Sequence, residues 1–112
     1  MKLLTAELRN RLVKNFHTNS SGNTDFVPVV KFFDPCGSAT WLITELNPET
    51  DVMFGLCDLG MGCPEVGAVS LNELKSVRNG FGLGIERDLH FRPTKTLNEY
   101  AKEAYEVGGI VA

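Results

Sequence analysis

Hydrophobic positions recur with two different periods along the chain, and the periods divide it into elements. Leu8, Leu12 and Phe16 repeat every four residues, which marks the buried stripe of a helix. Thr5 supplies its N-cap, Glu7 faces its positive end, and it runs to about Phe16. A polar stretch, His17 to Asp25, reads as a loop. The period then changes to two. Val27–Phe33 and Ala39–Glu45 are rich in Val, Phe, Ile, Thr and Trp, residues suited to a pleated, half-buried surface. Asp34-Pro35-Cys36-Gly37-Ser38 joins them as a reversal, with Pro35 presetting φ and Gly37 free to take positive φ.

Asn47-Pro48-Glu49-Thr50 turns the chain into a third strand, roughly Asp51–Leu59, and Glu65–Val69 forms a short fourth after Gly60-Met-Gly-Cys-Pro64. Short connections between consecutive strands imply an antiparallel meander, because parallel pairing needs a long crossover. Ser70 and Glu73 form a capping box that opens a short helix, with Val69 stapling onto Leu74 and an end at Asn79-Gly80. Phe81-Gly-Leu-Gly84 then leads into an extended segment, Ile85–Phe91, closed by Pro93. A second capping box, Thr96 with Glu99, opens a last helix. Its apolar face carries Leu97, Tyr100, Ala101, Ala104 and Tyr105, and it stops at Gly108-Gly109. The expected fold is α+β. One domain over 1–112 holds a four- to five-stranded antiparallel sheet with an N-terminal, a short middle and a C-terminal helix.

The chain has 112 residues, 43% hydrophobic and 22% charged, which suits one globular domain with its own core. No apolar run approaches the roughly 20 residues that span a bilayer. Met1-Lys-Leu-Leu-Thr5 runs straight into charged sequence, so no signal peptide and a cytoplasmic location are expected. Cys36, Cys57 and Cys63 are odd in number and lack C-x-x-C spacing, which fits reduced thiols rather than a disulfide or zinc framework.

The net charge of −3 disfavours a phosphate-binding surface, and nucleic acid is not an expected partner. Its distribution is more informative. Lys2, Arg9, Arg11 and Lys14 oppose only Glu7 at the start. Between Phe32 and Leu74 there is no Lys or Arg, while Asp34, Glu45, Glu49, Asp51, Asp58, Glu65 and Glu73 supply carboxylates. Such a surface either keeps the protein in solution or faces a basic partner. Asp34, Trp41, Glu49, Asp51, Asp58 and Glu65 are the expected binding face. Trp41 alternates with Ala39 and Ile43 into the core, unless partial exposure makes it a hot spot.

Chemistry-bearing candidates gather in Ile85-Glu-Arg-Asp-Leu-His-Phe91. Alternation puts Arg87 among apolar side chains, where it should find a carboxylate, with Glu45 and Glu73 the first candidates. Glu86, Asp88 and His90 would share the other face, and with Glu45 they are the candidate catalytic set. These are ligand types for a hydrolytic metal or an acid–base pair. One strand spaces alternate residues by about 6.6 Å, so it cannot wrap them around one ion without Glu45. No resident metal or cofactor is expected. Gly80-x-Gly82-x-Gly84 leaves a helix and enters a strand, the reverse of a dinucleotide loop. Cys36 sits beside Asp34 with no His nearby in sequence, which does not activate a nucleophile.

Motifs along nearly the whole chain resemble an uncharacterised family, a domain of unknown function. Its members are small proteins encoded on plasmids, phages and other mobile elements. The resemblance rests on Leu3-Leu-Thr-x-Glu-Leu8, Val30-Lys-Phe-Phe-Asp-Pro-x-Gly37, Thr40-Trp41 through Thr44-Glu45, and Phe54-Gly55. It continues in Glu65-Val-Gly67, Ser70-Leu-x-Glu-Leu74 and Gly82-Leu-Gly-Ile-Glu-Arg-Asp-Leu-x-Phe91. Val13-Lys14 and Phe16 stand where the family's first helix often ends with prolines and a tyrosine. Ala39 stands where a tryptophan is common, so the chain resembles a divergent member. The resemblance carries no catalytic residues. It implies a cytosolic accessory protein of a mobile element. The expected function is a non-enzymatic module that docks its acidic hairpin face on a basic protein, such as a host defence or replication component. The alternative is a small metal-dependent hydrolase or nuclease.

Overall fold

The computed structural model describes residues 2–19, 21–78 and 82–112. Thr5 caps the first helix, α1 (Ala6–Thr18), by accepting the Leu8 N–H. Four strands follow: β1 (Val30–Phe33), β2 (Thr40–Asn47), β3 (Val52–Asp58) and β4 (Glu65–Ser70). The short helix α2 (Leu71–Ser76), the two-residue strand β5 (Glu86–Arg87) and helix α3 (Leu97–Val107) complete the chain. The strands form one antiparallel sheet in the order β4-β3-β2-β1-β5. The expected α+β fold is therefore observed: a meander extended on its far side by a strand that returns after α2.

Helices cover both faces of the sheet, which gives three layers around two cores. On one face Leu12 of α1 and Leu71 and Leu74 of α2 pack with Phe32, Trp41, Ile43, Leu46 and Met53. On the other, Leu97, Tyr100, Ala101 and Ala104 of α3 pack on Leu42 and Leu56. Tyr105, expected on that stripe, is exposed instead. Both helix starts follow the sequence. Ser70 accepts the Glu73 N–H but Glu73 does not return the bond, so the expected box is half formed there, whereas Thr96 and Glu99 make the full reciprocal box. The α3 helix closes at Gly108 in the left-handed conformation, as its sequence requires. The α2 helix stops earlier than expected, at Ser76. The expected stop at Asn79-Gly80, and Phe81 of the following connector, lie outside the described residues.

Two strands are shorter than alternation suggests, each for a local reason. The Phe26 carbonyl accepts the Leu97 N–H at the start of α3, Pro28 has no N–H to give the ladder, and bonding to β2 is taken up at Val29, whose N–H the Ile43 carbonyl accepts. After Arg87, Asp88 Oδ1 accepts the His90 N–H and the Asp88 carbonyl accepts the Phe91 N–H. These bonds fold Asp88–Phe91 into a turn, and the extended segment ends after two residues. The hairpin at Asp34–Ser38 forms as expected, but Gly37 is not needed there for a positive φ. A Cβ at Gly37 would sit 2.9 Å from an Asp34 carboxylate oxygen, the end of a side chain that can swing aside at small cost.

The register of β2 on β3 contains one interruption. Ile43 pairs with Gly55 and Glu45 with Phe54, leaving Thr44 as the extra residue of a β-bulge. Thr44 is buried. Its hydroxyl donates to the Phe54 carbonyl, and its own carbonyl accepts from the Asn15 side chain of α1. Here the two strands come so close that a Cβ on Gly55 would lie 2.0 Å from the Leu42 carbonyl oxygen. Gly67, next to Gly55 across β4, has nothing within 4 Å of the corresponding position. Gly55→Ala should therefore destabilise the protein by about 3 kcal/mol, the upper end for overpacking. Gly67→Ala should change stability by less than about 0.5 kcal/mol. Urea melts of the two variants check this contrast, and equal melts would show that β2 and β3 do not approach as described.

Candidate functional site

The bulge decides where Glu45 goes. Strict alternation from Trp41 puts Glu45 on the face covered by α1, where Arg87 also lies through its pairing with Phe32. The extra residue reverses this. Glu45 shares the α3 face with its register partner Phe54, while Leu46 and Met53 turn to the α1 side. Glu45 and Arg87 thus occupy opposite faces of the sheet. Glu45 is 9% exposed and accepts a hydrogen bond from the Asn19 side chain at the C-cap of α1. Arg87 Nη1 donates to the carbonyls of Lys2 and Leu3, which holds the N-terminal segment and its buried Leu3 and Leu4 against the sheet. Glu73, the other expected partner, is exposed in the first turn of α2.

The candidate catalytic set is not assembled. Among the described residues, no three His, Cys, Asp or Glu side chains lie together as a metal site would require. Asp88 turns toward Lys31, with 3.4 Å between Nζ and Oδ2, and shapes its own turn through the His90 N–H. Glu86 is half-buried and His90 exposed.

The expected binding-face residues separate into two kinds. Trp41 and Asp58 are each 6% exposed. Trp41 belongs to the core under α1, as its alternation predicts. Asp58 accepts the N–H groups of Gly60 and Ile110, at 2.8 and 2.9 Å, and so ties the chain after α3 to the sheet. Asp51, in the left-handed conformation with φ 56°, pairs with Arg9 of α1 at 2.7 Å. Asp34 accepts the Cys36 N–H in the hairpin turn. Glu49 and Glu65 are exposed. Of the cysteines, Cys36 and Cys63 are exposed and free. Cys57 is half-buried, and burial, then the charge of Glu65, pushes its thiol above the ordinary value.

A cavity of about 460 Å³ lies on the α3 face, in the area that α3 leaves uncovered. Glu45, Thr44, Phe54 and Val66 form its sheet wall; the loop after α1 and the start of α3 enclose it. Asp25 stands on its rim and accepts the Asn98 N–H of α3. Among the described residues its lining contains two carboxylates, three asparagines and no Lys or Arg. Phe54, a large aromatic in the middle of β3, is 39% exposed there. Sequence reasoning missed Phe54 and Asp25. The available signal was Leu42-Ile43 followed by Leu46, an apolar spacing that breaks period two within β2.

The turn at Asp88 gives a pH-dependent contribution with a definite sign. The His90 backbone N–H, and then Lys31, hold the Asp88 carboxyl below the usual carboxylate range despite partial desolvation. A depressed folded-state pKa stabilises the protein above the unfolded value, and this stabilisation is lost as pH falls through the folded value. Asp88→Asn should lower stability at neutral pH and flatten the acid-side decline. Urea melts from pH 7 down to 3 measure it; parallel curves for parent and variant would remove Asp88 from the account.

No curated protein and no solved structure matches the chain. No helix among the described residues is long and apolar enough to cross a membrane. One family model, described as a protein of unknown function (DUF2958), matches residues 3–111, and by that match the chain belongs to this family.

Proposed function

We propose that the protein is a non-enzymatic binding module that takes a basic segment of another protein on the uncovered half of its sheet. The observation that carries this reading is the exposure of Phe54 at mid-strand, beside the nearly buried carboxylate of Glu45. An aromatic side chain half open to water in a central strand is an anchor when a partner covers it. The charges support a cationic partner. Glu45 and Asp25 line the cavity with no Lys or Arg among its described lining residues, and the chain carries no Lys or Arg from Phe32 to Leu74. An arginine or lysine side chain would set its stem on Phe54 and its head toward Glu45.

This moves the centre of binding from the hairpin turns, where Asp51 and Asp58 serve the fold, to the cavity beside the bulge. Glu49, Asp34 and Glu65 then act at a distance, by attracting a basic surface. In the setting that the resemblance implies, the protein is a cytoplasmic accessory factor of a mobile element, and its partner is a component of host defence or replication. The hydrolase alternative has no such support, since its four residues are dispersed.

The test is capture of a partner from the host cell, followed by calorimetry on the purified pair. Phe54→Ala and Glu45→Gln should each weaken binding tenfold or more, about 1.4 kcal/mol. Affinity should fall as salt rises. Glu7→Gln and Glu106→Gln, on exposed helix positions, are the charge controls and should leave it unchanged. Equal losses from both sets would reduce the carboxylates to a solubilising surface.

A further inference from the structure

The two edges of the sheet differ. On one side β5 is two residues long and ends in the Asp88–Phe91 turn, which leaves little backbone to pair with another strand. On the other side β4 runs six residues, and it is the outermost strand of the sheet. Proteins usually protect such an edge with lysine, proline, a bulge, or a covering segment. Glu65-Val-Gly-Ala-Val-Ser70 contains neither lysine nor proline, and its register on β3 is continuous from Glu65 to Ser70. Among the described residues no strand pairs with its outer side.

We infer that β4 is a site of strand addition, and that its occupant is an extended, lysine- or arginine-bearing segment of the partner protein. This rests on the binding reading above and specifies its mode. Main-chain hydrogen bonds to β4 would supply the affinity, and side-chain alternation the selectivity. On the α3 face the added strand lies beside Val66 and Ala68, and the next strand inward presents the exposed Val52 and Phe54. Apolar residues suit that face. On the α1 face it lies beside Glu65, Gly67 and Val69. Gly67 leaves open space there, and Glu65 is exposed. Basic residues suit that face.

Charge selects this occupant over a second copy of the chain. The β4 strand lies within a cation-free interval, and the first cation after it is Lys75 in the last turn of α2. Two such edges paired antiparallel would bring no cation to either Glu65, because β4 carries none. An alternating apolar and basic segment meets both faces of the strand with complementary chemistry.

A capped heptapeptide, Val-Lys-Val-Lys-Val-Lys-Val, is the direct probe, titrated into the isotopically labelled full chain and followed by NMR. Saturable shifts at Glu65–Ser70, with slowed exchange of the outward-facing β4 amides, are expected, weakening at high salt. Gly67→Lys and Ala68→Lys place guarding charges on the two faces of the edge, at an open and an exposed position. Each should weaken peptide binding at least tenfold while leaving the melt unchanged. Thr18→Lys, the same charge on an exposed turn of α1, should not. Shifts confined to Glu45 and Phe54 and insensitive to the β4 variants would overturn strand addition and leave the binding reading standing. An absence of shifts up to millimolar peptide would likewise overturn it, while capture of a partner tests that reading separately. Concentration-dependent shifts at β4 without peptide would assign the edge to a second copy.

Discussion

The close approach of β2 and β3 at the Thr44 bulge is the constraint on which the rest of this structure depends. Gly55 permits it, since no side chain fits between that position and the Leu42 carbonyl. Asn15 of α1 fastens it by donating to the Thr44 carbonyl, so the first helix is registered on the sheet at this point. One inserted residue then rotates the remainder of β2. Leu46 turns into the core under α1, and Glu45 turns away to stand beside Phe54. A bulge re-aims side chains at the cost of one unpaired residue, which explains why such irregularities accompany binding sites.

The two helical layers complete the site by what they leave uncovered. The α3 helix covers the sheet over Leu42 and Leu56, and the loop between α1 and β1 closes the side beyond it. The area between them keeps Phe54 open to solvent. Asp25 belongs to that loop and fixes it to the start of α3 through the Asn98 N–H. The cavity is therefore framed by bonds between elements distant in sequence, which favours a preorganised surface over one that forms on binding.

Local signals in the sequence were sufficient for much of this. The N-caps at Thr5, Ser70 and Thr96, the Gly108 stop and the hairpin at Asp34–Ser38 each depend on residues within a few positions of one another. The failures were non-local. Alternation continued from Trp41 would put Glu45 on the same face as Arg87, because a period of two has no place for an inserted residue. Asp51 and Asp58 looked like free surface charges. Their partners, Arg9 and Ile110, lie 42 and 52 residues away, and no pattern announces them. Arg87 met backbone carbonyls at the chain's start, an acceptor that side-chain reasoning overlooks. The short β5 reflects competition between a strand and the turn that Asp88 organises, and the turn prevails after two residues.

The central claim is that Glu45, Asp25 and Phe54 form one receptor for a cationic side chain. Titration of the labelled protein with N-acetyl-arginine methylamide tests it without any partner in hand. The account predicts saturating NMR shifts concentrated at Asp25, Glu45 and Phe54, reduced by added salt and lost in Glu45→Gln. Shifts spread evenly over exposed carboxylates such as Glu7, Glu49 and Glu106, or retained in that variant, would contradict it.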